Sequence, residues 1–460
     1  MQFRDLNKLI VKSSISIKDA IKKFNETAML TDGAFIIVVD NDNICKGVVT
    51  DGDIRKKLLE NNDLNRTLDD VINPNYTYVY QAENQHSVLR KFDLRVKNIP
   101  VLNESGKPVD LYTYSNFLAS SRSHSRIIRA RAPVRVSYSG GGTDMSNYIN
   151  KNSSAVLSST INKFCTASVI IRDDKLINIK SKDLNLKYSA KSINHIEYGD
   201  KLDLIKAAIN VMQPEYGFDL ETFAEFEPGT GLGGSSAVVV SVLGALNYFR
   251  NERQLDIYQI ADLAYQVERI DMNIKGGWQD QYATAFGGFS WIEFNKEGVL
   301  VNSLNLQRNT LLELEYNLML FKLGSSRSSS SIQKDFLKKI SNKSVDKSLI
   351  EMNNIAVNMK EALLKGEVKR FADLLHDSWM IKQKMNKSVS SEVVSNCYNI
   401  AREIGALGGK LLGAGKSGYL LIYSSPLYQR RIRNALREKG AIQESFKFCN
   451  EGLEVWSTKR

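Results

Sequence analysis

The chain has 460 residues, 43% hydrophobic and 25% charged with only 7 Pro, which is the make-up of a globular protein of two to three domains. No apolar run reaches the roughly 18 to 20 residues that a membrane-spanning helix needs, and the four cysteines, Cys45, Cys165, Cys397 and Cys449, are too scattered for a disulfide framework or a zinc site. The net charge of +11 arises from 62 Lys and Arg dispersed among 51 acids without a like-charged block, so we expect a basic surface suited to phosphorylated small molecules, and no nucleic-acid or membrane partner.

The opening MQFRDLNKLIVKSS is charged and amphipathic, with no apolar signal core, so a cytoplasmic protein is expected. Ser16-Ile17-Lys18-Asp19 resembles a capping box and starts a helix with Ile17, Ala20, Ile21 and Phe24 on one face. A strand over 34–39, a turn at 40–43, a strand over 44–49 and a helix over 53–59 follow. The same order recurs as a helix over 84–92, strands over 99–102 and 109–112, and a helix from 115. Thr50 and Thr113 are 63 residues apart, as are Asp53 and Asn116, so this region is an internal duplication.

With GVVTDGDIRKKLL in its first copy, the duplicated stretch resembles a pair of CBS modules such as those attached to bacterial sugar nucleotidyltransferases. The resemblance implies that Thr50 and Asp53 contact the ribose and phosphate of an adenine nucleotide. A carboxylate can accept two ribose hydroxyls. The second copy reads Thr113-Tyr114-Ser115-Asn116 and lacks that carboxylate. Alternatively, Asp53 caps its own helix and the pair serves dimerisation; a homodimer is expected.

Residues 121–129 form a polar linker, after which RAPVRVSY reads as an edge strand that tolerates one Pro. It runs into Gly140-Gly141-Gly142-Thr143-Asp144, where three glycines allow a tight path and Asp144 projects from the loop. Arg135 by itself reads as a surface residue of that strand.

A second glycine loop follows an apolar, strand-like approach over 223–226 and opens a helical run over 238–249. It contains Pro228, Gly229, Gly231, Leu232, Gly233, Gly234, Ser235 and Ser236. A helix start offers unpaired N–H groups, and glycines let the backbone close on an anion, so a phosphate is the expected guest. Either serine could cap the helix or bind a metal. The loop has neither the Lys of a Walker loop nor G-x-G-x-x-G.

Ile257, Ile260, Leu263, Ala264, Val267 and Ile270 recur at helical spacing. On that helix Glu268 reads as a solvated acid, and Asp280, after the Gly276-Gly277 break, as the cap of a helix starting at Gln281. Arg327, in a Ser-rich loop over 323–331, is a candidate for pairing with a substrate phosphate. His376 and Trp379 receive no chemical role. Lys410 to Ser417 ends like a Walker loop, but Lys410 stands where that motif needs Gly, and a strand follows where it needs a helix.

RAPVRVSYSGGGTD, PGTGLGGSSA and Gly413-Ala414-Gly415-Lys416-Ser417-Gly418 resemble, in order, the three motifs of the GHMP kinases, and VERIDMNIKGGWQDQYATAFGGF is similar to a segment of their heptose 7-phosphate kinase branch. The third loop carries Lys416 and Ser417 where the family has glycines.

The resemblance implies an α+β fold: a tandem CBS module over 1–120, then a kinase of two subdomains over 130–310 and 311–460, the second ferredoxin-like. It implies ATP on the loop from Pro228 to Ser236 and on Gly413 and Gly415, and Mg²⁺ on Ser236 and Glu268. A sugar phosphate would lie at Gly141, Gly142, Thr143 and Asp144, with Asp280 as base and Arg135 stabilising the transferred phosphoryl group. The implied reaction converts heptose 7-phosphate to its 1,7-bisphosphate for surface polysaccharide. A kinase of fucose-like sugars and a non-catalytic nucleotide sensor are the alternatives.

Overall fold

Apolar strands flanked by turn residues pair as the duplication predicts. Ile10–Lys12 runs parallel to Phe35–Val39, which pairs antiparallel with Cys45–Thr50. Val79–Tyr80, Asn98–Leu102 and Pro108–Thr113 repeat this arrangement. Phe35 opposes Thr50 and Asn98 opposes Thr113, and each hairpin slips register once, at Val38/Val39 and at Val101/Leu102. All three correspondences are 63 positions apart, so even the bulge is duplicated. Phe35–Val39 is buried throughout, as a strand covered on both faces must be. One face packs with Ile17, Ala20 and Phe24, and the other with Leu9 and, from the second copy, Leu111.

The computed structural model describes residues 6–28, 30–81, 83, 85–93, 95–115, 126–250, 254–324 and 343–459. Asn116 and Arg327 lie outside these residues. The chain divides into two units, Met1–Arg126 and Ile127–Arg460. No helix among the described residues is long and apolar enough to cross a membrane.

The second unit is built on the 18-residue strand Ser154–Ile171. Along its length it pairs with Arg126–Ser139, Phe218–Ala224, Phe289–Asn295 and Phe448–Cys449 in a nine-stranded sheet. Arg126–Ser139 is not the edge strand expected, because Glu454–Lys459 pairs with its other side. Pro133 is accommodated by a register shift at Pro133/Val134, which suits a residue with no N–H to donate. Against this sheet packs the helix Gly234–Asn247, buried over eleven of its 14 residues and apolar on nearly every side, so it belongs to the core.

Beyond Asn317 the chain forms a second, antiparallel sheet in the order Gly408–Leu411, Gly418–Tyr423, Leu318–Leu323, Ile442–Glu444. Helices Lys343–Lys365, Val368–Met385 and Glu392–Ile404 lie between Leu318–Leu323 and Gly408–Leu411, and Pro426–Glu438 between Gly418–Tyr423 and Ile442–Glu444. This is the ferredoxin-like βαββαβ order. The closing strands then return to the larger sheet.

Candidate active site

The first glycine loop is held in place by its own aspartate. Asp144 is 2% exposed; its Oδ1 accepts the Gly142 N–H at 2.9 Å and its Oδ2 the Gln279 N–H at 3.2 Å. The carboxylate therefore ties the first glycine loop to a segment 135 residues away. Burial pushes its pKa up, against the hydrogen bond from Gly142 and with a further push from the Asp280 charge. Thr143 does not line the cavity as expected: its hydroxyl donates to Gly140 O at 2.7 Å and it is fully buried.

The second loop leads directly into the helix Gly234–Asn247, four residues earlier than the apolar run predicts. Gly233 is its N-cap and no side chain caps it, so neither serine has the capping role. An anion here would meet the first-turn N–H groups that a side chain would otherwise satisfy. Gly231 (φ +85°) and Gly413 (φ +68°) touch: a Cβ on Gly413 would lie 2.3 Å from the Gly231 Cα. Only glycine at both positions lets the second and third motifs meet. Leu232 lines no part of the cavity; it lies in the core, and its carbonyl accepts the Arg135 N–H at 2.9 Å.

Glu268 is not the solvated acid of the sequence reading. The helix Ile257–Tyr265 passes into a π-helical turn, Gln266–Asp271, with Met272 N bonded to Val267 O and Ile274 N to Glu268 O. The wider turn shifts the helical phase. Glu268 is fully buried, and Ile270, expected on the apolar face, is 67% exposed. Ser236 Oγ donates to Glu268 Oε2 at 2.6 Å, and the Gln281 amide donates to the same oxygen. Oε1 is buried with no hydrogen-bond partner among the described residues, its nearest cation being Arg269 at 3.8 Å. A hydroxyl and a carboxylate with an unsatisfied oxygen are hard donors that suit a divalent ion such as Mg²⁺. Among the described residues no three His, Cys, Asp or Glu gather at one point, so other ligands would come from phosphate or water.

Asp280 is not the helix cap either. Trp278 is the N-cap of Gln279–Phe286, and Asp280 lies in the first turn. There its Oδ1 accepts Arg135 Nε at 2.8 Å and Nη2 at 2.7 Å. Arg135, a surface residue by the sequence reading, is 4% exposed and also donates to Gly231 O at 2.8 Å.

These elements surround one cavity of about 460 Å³. Arg135, Gly141, Gly142, Asp144 and Asp280 line it, as do Pro228, Gly229, Gly231, Gly233, Gly234, Ser235, Gly413 and Gly415. Ser236 and Glu268, both fully buried, are not among its lining residues. Among the further polar residues that line the cavity and that the sequence reading gave no role are Gln279, Lys410 and Lys382. Gln279 Oε1 is buried without a partner among the described residues. Lys410 Nζ donates to Tyr138 O at 2.8 Å, and Lys382 Nζ to the carbonyl of Gly413. The one available signal was Lys410 standing in an otherwise apolar strand.

Comparison with known proteins identifies the family to which these domains belong. Residues 203–288 match the GHMP kinases N terminal domain, 359–442 the GHMP kinases C terminal domain and 4–60 the CBS domain. The chain is 34% identical to the D-glycero-alpha-D-manno-heptose 7-phosphate kinase of Campylobacter jejuni over 72% of this chain and 99% of that one. A crystal structure of a D-glycero-D-manno-heptose 1-phosphate kinase from Bacteroides thetaiotaomicron is similar at 29% identity and TM-score 0.60, over 72% of this chain and 98% of that one. A putative sugar kinase structure from Campylobacter jejuni is similar at 32% identity, with the same coverage and TM-score. The chain belongs to the GHMP kinases, a family of ATP-dependent phosphotransferases, and carries a CBS domain at its N-terminal end.

Proposed function

We propose that this sugar kinase transfers the γ-phosphoryl group of ATP to the anomeric hydroxyl of a sugar phosphate, D-glycero-D-manno-heptose 7-phosphate being the acceptor favoured. The observation that carries this reading is the convergence of Asp144, Arg135, Asp280 and an uncapped helix start on one cavity. The 34% identity to a heptose 7-phosphate kinase supports the choice of sugar.

In this reading the loop from Pro228 to Ser236, with Gly413 and Gly415, binds the phosphates of ATP. Ser236 and Glu268 hold Mg²⁺, which when bound neutralises phosphate charge. Asp144, Gln279 and the backbone of Gly141 and Gly142 orient the sugar, since an ionised carboxylate and an amide oxygen both accept hydroxyl protons. Asp280 takes the proton from the attacking oxygen. Arg135 keeps Asp280 aimed and offers its remaining N–H groups to the transferred group. Residues 1–120 form a CBS pair that regulates or dimerises the enzyme in the cytoplasm, and the product feeds nucleotide-activated heptose for surface polysaccharide.

The test is coupled ADP release across a panel of sugars and sugar phosphates, with ³¹P NMR of the product. Turnover of heptose 7-phosphate with a new anomeric phosphate signal is expected. Turnover confined to unphosphorylated sugars such as L-fucose would overturn the acceptor assignment.

A further inference from the structure

Lys382, half-buried, and Lys410, buried, are two cavity cations for which the roles above provide no use. Lys382 comes from the helix Val368–Met385 and Lys410 from the strand Gly408–Leu411, so the smaller subdomain brings both to the cavity. Lys410 is 4% exposed. Among the described residues neither forms an ion pair: Lys410 bonds only the Tyr138 carbonyl, and Lys382 only the carbonyls of Gly413 and, at 3.5 Å, Leu411. Among the described residues three carboxylates line the cavity: Asp280 is paired with Arg135, Asp144 accepts backbone N–H groups and Asp183 accepts the Ser181 hydroxyl.

A buried ammonium bonded only to neutral carbonyls remains uncompensated, and folding tolerates this mainly where a ligand supplies the opposite charge. Consistent with that, burial and the Arg135 charge lower the pKa of Lys382, and burial with both neighbouring cations lowers that of Lys410. Each nitrogen keeps N–H groups beyond those already bonded. The anion must therefore be a multivalent acceptor. Two sources exist in this cavity: the nucleotide tail, for which the helix start at Gly234 already provides a site, and the acceptor.

We propose that Lys382 and Lys410 form the subsite for the phosphate that the acceptor already carries, and so select a sugar phosphate over the free sugar. This rests on the reading of the acceptor as a sugar phosphate. The two lysines take the part that the sequence reading gave to Arg327. Lys410 is anchored on Tyr138, two residues before the glycine loop that bears Asp144, so a sugar held at Asp144 would lie beside this subsite.

The test titrates the full chain with inorganic phosphate by calorimetry, with and without saturating Mg²⁺ and a non-hydrolysable ATP analogue. Phosphate is expected to bind with the analogue present. Lys382→Met and Lys410→Met should each weaken it about 10- to 100-fold, the scale of one charge-assisted hydrogen bond, whereas Lys382→Arg should stay within a few-fold. A thermal melt confirms that each variant folds. Loss of phosphate binding when the analogue is present would assign the lysines to the nucleotide tail and overturn the proposal, as would unchanged binding in both Met variants. Because this readout needs no turnover, retained lysine-dependent phosphate binding beside turnover of free sugars alone would refute the acceptor reading separately. In the kinetic arm, Lys382→Met should raise KM for the sugar phosphate while leaving KM for ATP unchanged; the reverse pattern would overturn the proposal.

Discussion

Arg135 and Asp280, 145 positions apart in sequence, meet through two nitrogens of one guanidinium on one carboxylate oxygen, at 2.8 and 2.7 Å. One residue comes from a strand of the large sheet and the other from the first turn of a short helix. Their pairing at the cavity wall fixes the direction of the proposed base before any substrate arrives. Asp280→Asn keeps the shape but removes the proton acceptor. We expect kcat to fall about 100-fold or more, with nucleotide affinity within a few-fold of wild type, measured by single-turnover ADP release. Unchanged kcat would remove Asp280 from the chemistry.

Glu268→Gln replaces the buried carboxylate by a neutral group of the same size. The Mg²⁺ concentration for half-maximal nucleotide binding should rise at least about tenfold, read by fluorescence titration with an ATP analogue. A Mg²⁺ dependence identical to wild type would show that the carboxylate holds no cation.

Gly413→Ala forces a side chain into the Gly231 backbone at a positive φ. Left-handed backbone alone costs about 1 to 2 kcal/mol for a residue with a Cβ, and the clash adds to it. Nucleotide binding should be lost or the melting temperature clearly lowered. Gly141→Ala meets its nearest atom, on Gln279, at 3.5 Å and should melt within about 0.5 kcal/mol of wild type. A Gly413 variant as stable and active as the Gly141 variant would contradict the contact.

Lys382 supplies a pH test of stability. Its pKa is lowered to about 8 from an ordinary 10.5, by burial first and then by Arg135; Lys410 faces it too. The folded state thus binds fewer protons than the unfolded state between these values, and the charge destabilises the fold most below about pH 8. Lys382→Met should therefore raise stability at neutral pH by on the order of 3 kcal/mol, less what the lost carbonyl bonds contribute. The gain should shrink as pH rises from about 8 towards 10.5. A gain that grew over that range would reverse the sign argued here.

In the CBS unit, Thr50 and Asp53 form a reciprocal capping box: Asp53 Oδ2 accepts the Thr50 N–H at 2.9 Å and its hydroxyl at 2.6 Å. Asp53→Ala should cost about 1 kcal/mol of that unit's stability and abolish the proposed adenine-nucleotide binding. Nucleotide binding that survives the substitution would leave the pair with the cap alone.

Local pattern carried much of this protein. The duplication spaced by 63, the glycine loops and the apolar core of Gly234–Asn247 are written in neighbouring residues, because turn chemistry and periodicity act over a few positions. What depends on distant backbone was not legible. A π turn is stabilised by packing around it, so regular helical spacing put Glu268 in solvent and Ile270 in the core, the reverse of their places. Pro133 suggested an edge strand because pairing by the chain's last strand, more than 300 residues on, leaves no mark near it. Lys382 looks like an ordinary lysine in sequence and Lys410 is marked only by its apolar strand; only the meeting of two subdomains at one cavity brings both to it without a carboxylate partner among the described residues, and that meeting is a property of the fold.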